Sequence, residues 1–275
     1  MPLIQLQTPE NQSVPVWRRR EPRVQRLIQA GWVAGLVLFM VCWKVISDNT
    51  IWEFLEDAGT QGLSLVNRMI PPDWSITGSL MRPLWDTINI ATVGTVLGIM
   101  IAFPLAFLAA RNTTPHPVVR ALALTVIVSS RSINALIWAM LLVTIVGPGV
   151  FAGMLAIALR SIGFIGKLLY EAIEEIHPEP VEAVTATGAG AGQVLAWSVW
   201  PQILPAFAGT AVYRWDINIR ESTVLGLVGA GGIGLQMNAA INNLAWGQVA
   251  TVFVLIFGTV VLSEWVSAKV RGAVY

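Results

Sequence analysis

Four charged side chains, Arg214, Asp216, Arg220 and Glu221, lie inside one apolar stretch at helical spacing. Asp216 and Arg220 are four residues apart and pair on one face, while Arg214, Asn218 and Glu221 fall on approximately the opposite face. An ionised side chain near a bilayer centre costs about 2.5 to 3.5 kcal/mol, so these groups must be paired, near a helix end, or turned toward protein or water. One chemistry that fits is structural, an ion-pair network that includes contacts across a homodimer seam. The other is passage of an anion, because the guanidinium groups of Arg214, Arg220 and Arg131 present several directed N–H donors to an oxyanion. Ser132 and Asn134 add donors beside Arg131 where a second apolar run is interrupted, although an arginine near the outer end of a span also snorkels. Partial neutralisation by Asp216 and Glu221 suits a path that must release its passenger.

Other constellations are weaker. Gly229-Ala230-Gly231-Gly232-Ile233-Gly234 fits G-x-G-x-x-G, but a dinucleotide site needs a preceding strand and an acid about 20 residues onward. Here an apolar helix precedes the glycines, and no Asp or Glu lies between Glu221 and Glu264. Gly229, Gly231, Gly232 and Gly234 therefore read as the turn at the outer end of a helix, with tight packing and an external gate both open as its purpose. Gln236, Asn238, Asn242, Asn243 and Gln248 line a mouth or belong to a solvated connection. His116 and His177 are far apart, and Cys42 is the single cysteine, so neither a metal site nor an intrachain disulfide is expected. Cys42, within an apolar run, is expected as a buried, inert thiol. No serine, histidine and acid set or paired membrane carboxylates supports catalysis, and no catalytic residue is assigned.

The elements that must position these groups are membrane helices. The 275 residues are 55% hydrophobic and 12% charged, with a mean hydropathy of +0.66. Soluble domains carry roughly twice that charge. The net charge of +1 makes no case for a nucleic-acid partner. Six spans of roughly 20 residues are predicted. The first, about Leu27 to Ile46, follows Arg18-Arg19-Arg20, Arg23 and Arg26 and is read as a retained helix with a cytoplasmic N-terminus. Ser47 to Arg82 then forms interfacial segments outside, broken at Pro71-Pro72. The second span covers Leu84 to Ala110, and the third, Val118 to Val146, is a broken or tilted helix interrupted at Arg131-Ser132 and Asn134. Gly147-Pro148-Gly149 turns the chain into the fourth span, Val150 to Tyr170; the fifth runs from near Pro201 to Leu227 and the sixth from Trp246 to Val266. Both termini are then inside.

Between the fourth and fifth spans lies a polar cytoplasmic segment, 176–200. Pro178 and Pro180 mark a break before a helix whose N-terminal end suits Glu179 and Glu182. Ala183, Val184, Ala186 and Ala189 supply small apolar surface. Gly188 and Gly190-Ala191-Gly192 permit a tight turn, after which Val194, Leu195 and Trp197 rebuild an apolar stripe toward Pro201. The pattern fits a short helix offered sideways to another protein, or a connector packed on its own bundle.

Glu182-Ala183-Val184, Gly188 and Trp200-Pro201 resemble the EAA loop of type I ABC importer permeases, with Val184, Ser198 and Trp200 departing from the usual pattern. Pro201-Gln202-Ile203-Leu204-Pro205, Tyr213-Arg214-Trp215, Asn218-Ile219-Arg220 and Val224 to Gly234 resemble the phosphonate importer permeases. So do Arg131-Ser132-Ile133-Asn134, Gly163 to Leu168 and Glu171 to Ile176. The resemblance covers Leu84 to the C-terminus. It implies an all-α, polytopic type I permease fold in a bacterial inner (plasma) membrane, with 1–83 as an N-terminal addition and 84–275 as a five-helix core. It also implies a second permease copy, an external substrate-binding protein, and two cytoplasmic ATPase subunits that bind ATP and Mg, none of which this chain binds itself. Glu182, Ala183, Gly188 and Pro201 become the ATPase-coupling residues, with the helix running from about Glu182 to Gly192. Phosphonate is the expected passenger, with phosphate, phosphite or hypophosphite as the alternative and amino acids or other small solutes behind them.

Overall fold

The computed structural model describes residues 22–274. Arg18-Arg19-Arg20, on which the orientation of the first span rests, lie outside the described residues. Twelve α-helices follow one another, and no strand occurs among the described residues. The chain divides into two compact units, Met1–Gly62 and Leu63–Tyr275.

In the first unit, α1 (Pro22–Asp48) is a single apolar helix, followed by one turn, α2 (Glu53–Glu56). Asn49 and Thr50 end α1 by returning their side chains to the carbonyls of Val45 and Ile46. The apolar side chains of α1 are exposed. Cys42 is exposed among them, not buried as its composition suggested, because this helix presents its apolar surface outward. Helix α3 (Ala58–Met69) continues into the second unit.

The second unit is a helical bundle. Helix α4 (Thr77–Ala109) starts seven residues before the expected Leu84 and contains Pro83 and Pro104. Ahead of it, Asp73 is held by Thr251 and Gly247 of the last helix through its backbone. Its carboxylate accepts from the hydroxyl and N–H of Ser75, which holds its pKa below the ordinary 3.8. The central pair is α4 with α7 (Val150–Glu174). Added Cβ atoms at Gly94 and Gly98 would lie 2.8 Å from Ile157 and 2.6 Å from Ser161. This small-xxx-small stripe is what lets two helices approach where lipid removes the hydrophobic drive for association.

The third apolar region divides, as expected, into α5 (Pro117–Ser132) and α6 (Ala135–Val146), which meet at 91°. Asn134 caps α6 by accepting from the N–H of Leu136 at 3.2 Å. Ser130 fixes α5 against α7: its hydroxyl donates to the Leu159 carbonyl and accepts from the Gly163 N–H at 2.9 Å. Those two groups are four residues apart on α7, so Ser130 bridges one rung of its ladder.

After α7 come α8 (Pro178–Ala186), α9 (Ala191–Val194), a π turn at Leu195–Val199 and α10 (Trp200–Leu225). A short 3-10 turn, Gly226–Val228, leads to α11 (Ile233–Asn242), bent 43° from the preceding helix. Helix α12 (Trp246–Val274) closes the chain. Among the described residues, four helices are long and apolar enough to cross a membrane, and up to six spans result if each bent pair counts as one.

Candidate translocation face and coupling segment

Helix α10 carries its charges in two directions, as the spacing predicted. Asp216 is buried and pairs with Arg220, while its other oxygen accepts from Ser263 of α12 at 2.8 Å. The Arg220 side chain remains 47% exposed. Arg214 is only 1% exposed. Its Nη2 meets Glu221 at 3.1 Å, its Nε donates to Ser161 at 3.1 Å, and its guanidinium lies 5.2 Å from the Phe164 ring centre. Asn218 donates to the same Ser161 hydroxyl and to Thr95. Thr95, Ser161, Arg214 and Asn218 thus bind α4, α7 and α10 together by polar contacts, the alternative to hydrophobic association inside a membrane.

The partner residues Thr95 and Ser161 were not anticipated, nor was Arg160. Arg160 places its Nε 3.3 Å from the second oxygen of Glu221 and donates from Nη1 to the Ile133 carbonyl at 3.3 Å, at the α5–α6 break. Its signal was present in the sequence as a lone arginine within the fourth apolar span. Lys167, also missed, pairs with Glu171 at 3.1 Å. On α7, Arg160, Phe164, Lys167 and Glu171 recur at helical spacing along the half-buried side of an otherwise buried stretch.

Arg131 sits elsewhere than expected. An added Cβ at Gly163 would lie 2.6 Å from the Arg131 nitrogen, which sets Arg131 beside the middle of α7 and not near an outer end. The cause is the 91° turn after Ser132, which stops α5 partway along the bundle. Arg131 and Lys167 line one cleft of about 390 Å³. The Ser132 hydroxyl donates back to the Val128 carbonyl, and the Asn134 oxygen is engaged as the α6 cap.

At the far end of α10, the chain folds back on itself through left-handed glycines. Gly229, Gly231 and Gly232 have φ of 86°, 81° and 77°. A Cβ at Gly234 would stand 2.0 Å from the Thr223 carbonyl. The loop is tied to α7 by the Gly149 N–H donating to the Gly229 carbonyl and to α4 by the Ile233 N–H donating to Thr87. The residues after it form α11, so Gln236, Asn238 and Asn242 stand on a helix and not in an irregular connection.

The polar segment takes a different form from one helix through Gly192. Helix α8 ends at Ala186, and Gly188, with φ of 81°, makes the turn. Helix begins again at Ala191 and runs through the π turn into α10, so Pro201 stands inside a continuing helix and not at its start. Pro201 is accommodated there because its missing N–H falls at the π turn, whose Trp200 N–H reaches back to Leu195. Glu182 and Ala183 are exposed. Ala183, Val184, Gly188, Gln193 and Trp197 line an open cleft of about 660 Å³, and Trp197 is 76% exposed. Gln202 of α10 accepts from the His177 N–H at 2.9 Å, linking α10 to the start of α8. Trp200, one departure from the EAA pattern, packs with Phe103 and Phe207.

Broken spans, buried polar ties and a projecting segment between two of the spans define an all-α polytopic membrane subunit with the type I ABC importer permease fold, a non-catalytic class. The chain belongs to the binding-protein-dependent transport system inner membrane component family, whose model matches residues 94–269. It is 39% identical over 249 residues to a phosphite transport system permease protein of Stutzerimonas stutzeri, covering 90% of this chain and 89% of that one. A phosphate-import permease protein of Mycolicibacterium smegmatis is 43% identical over 213 residues, 76% of this chain and 40% of that protein. The fold is similar to that of the inward-facing MetNI methionine ABC transporter, with a TM-score of 0.62 and 24% identity over 74% of this chain and 99% of that chain.

Proposed function

We propose that this chain is the membrane-spanning permease subunit of an ATP-driven importer for a phosphorus oxyanion. The observation that carries the passenger's class is the 39% identity, over nearly the whole chain, to a permease named for phosphite transport. Inorganic phosphite and phosphate therefore stand ahead of phosphonate, the first expectation from sequence. The excess of cationic groups on the α7 and α10 face supports an anionic passenger. Amino-acid import has weaker relatives behind it, methionine permeases 25% and 29% identical over 56% and 41% of this chain, beside a likeness of fold at 24% identity.

The assembly is read as two permease copies, two cytoplasmic ATPase subunits that bind ATP and Mg, and an external binding protein. Both termini and the α8 segment are assigned to the cytoplasmic side, and residues 84–275 to the permease core. Glu182, Ala183, Gly188 and the exposed Trp197 form the surface an ATPase would grip, with Pro201 at the base of the helix that receives the motion. The glycine loop, Gly229 to Gly234, is the outer gate in this reading. Uptake by proteoliposomes holding the full complex, measured for phosphite, phosphate, hypophosphite and methylphosphonate, tests the function. ATP-dependent import of phosphite or phosphate is the expected result. Import of methionine with none of the four phosphorus anions would sink the reading.

A further inference from the structure

The charged groups on the α7 and α10 face are unequal in what they have left to give. Lys167 is balanced by Glu171, and Arg220 by Asp216. Arg160 and Arg214 share the single carboxylate of Glu221. Arg131 has no carboxylate partner among the described residues. Two positive charges thus remain without their own counter-ion, and both belong to the place where α5 breaks from α6.

Burial and pairing together decide which arginines reach a passenger; Arg220, though 47% exposed, is held by a carboxylate of its own. Arg214 is sealed, with its donors engaged by Ser161 and Glu221 and its face against Phe164. Arg160 has a side chain 29% exposed, and the carboxylate it touches keeps a partner in Arg214 if Arg160 turns away. Arg131 is exposed, and its backbone lies against Gly163, one turn along α7 from Arg160. Ser130 holds that crossing by bridging Leu159 and Gly163, the residues that flank Arg160 on the α7 ladder. The break is therefore braced by side chains, with the Arg160 guanidinium resting on Glu221 and the Ile133 carbonyl and Arg131 exposed beside it.

We propose that Arg160 and Arg131 together form a transient contact site for a tetrahedral oxyanion in transit at the α5–α6 break, and that Arg214 and Arg220 are structural. The site rests on the function proposed above and adds where the passenger is touched. Guanidinium forks match such an anion, and two groups on separate helices hold it weakly enough to let it go. Glu221 is the group Arg160 rests on when the path is empty.

The test uses the complete transporter in proteoliposomes, with radiolabelled phosphate and with phosphite as probes. Arg160→Gln leaves Glu221 paired with Arg214, and Arg131→Gln orphans no acid, so neither variant creates an uncompensated buried charge. Each is expected to lower uptake by about tenfold while the complex stays assembled and binding-protein-stimulated ATP hydrolysis changes by less than about twofold. Arg160→Lys is expected to recover part of the uptake, since it restores charge without the fork. Uptake within about twofold of wild type in both glutamine variants would overturn the proposal. So would a loss of uptake that tracks loss of assembly and that lysine does not relieve. A wild-type complex that imports no phosphorus oxyanion would remove the functional reading and this site with it, whereas undiminished import by the variants removes the site alone.

Discussion

Arg214 and Arg160 show how one carboxylate divides two arginines into different tasks. Arg214 is enclosed by Ser161, Phe164 and Glu221, so truncating it removes charge-assisted hydrogen bonds from the interior. Arg214→Gln is expected to cost about 3 kcal/mol of stability, seen as lower thermal stability of the detergent-solubilised protein and a matching fall in assembly and uptake. Unchanged thermal stability with lost uptake would instead make Arg214 part of the path. Helical spacing alone put Arg214 and Glu221 on one face and Asp216 with Arg220 on another, and both pairs form. Spacing within one helix gave no view of Ser161, Thr95 or Arg160, because those residues come from other helices.

At the level of elements, three interruptions matter, and each has a local cause. The α5–α6 break is made by the Asn134 cap and braced by Ser130. The glycine loop after α10 needs left-handed backbone and contact distances no side chain allows. Gly234→Ala would drive a methyl group into the Thr223 carbonyl, with an expected loss of about 1 to 3 kcal/mol read by thermal unfolding. Gly188 has open space around it but φ of 81°, so its requirement is conformational and not steric. Gly188→Val is expected to strain the turn by about 1 to 3 kcal/mol and to reduce co-purification with the ATPase more than it reduces bundle stability. Normal ATPase recruitment and uptake would remove Gly188 from coupling. Gln202, joining α10 to His177 at the start of α8, is placed to carry movement between them. Gln202→Ala should lower uptake per ATP hydrolysed by a few fold, about the effect of one lost hydrogen bond, and an unchanged ratio would show the link to be passive.

For the whole molecule, the bundle leaves large apolar surfaces outward, as lipid permits, and an exposed tryptophan, Trp197, on the polar segment between two spans. Trp197 beside Val184 and Gly188 has the size and exposure of an interface anchor. Trp197→Ala is expected to weaken ATPase association by about 30-fold or more, measured by binding of the purified ATPase to reconstituted permease. An affinity within about twofold of wild type would place the grip elsewhere on the segment.

The sequence by itself determined the membrane class, the six apolar regions, the interruption at Asn134, and the pairing of charges along α10. These follow from local composition and from the fixed geometry of a helix, which need no knowledge of neighbours. Helix starts were less legible: α4 extends back past Pro83, and the fifth helix reaches back to Ala191 through a π turn that accommodates Pro201. Only the tertiary structure decided which arginines are sealed and which are free. It put Arg131 beside Gly163 at mid-bundle, joined Arg160 to Glu221 and the Ile133 carbonyl, and covered Arg214 with Phe164. Exposure and shared counter-ions depend on how separate helices cross, and that crossing is set by the glycine and serine contacts between α4, α5 and α7, which spacing along any one helix does not encode.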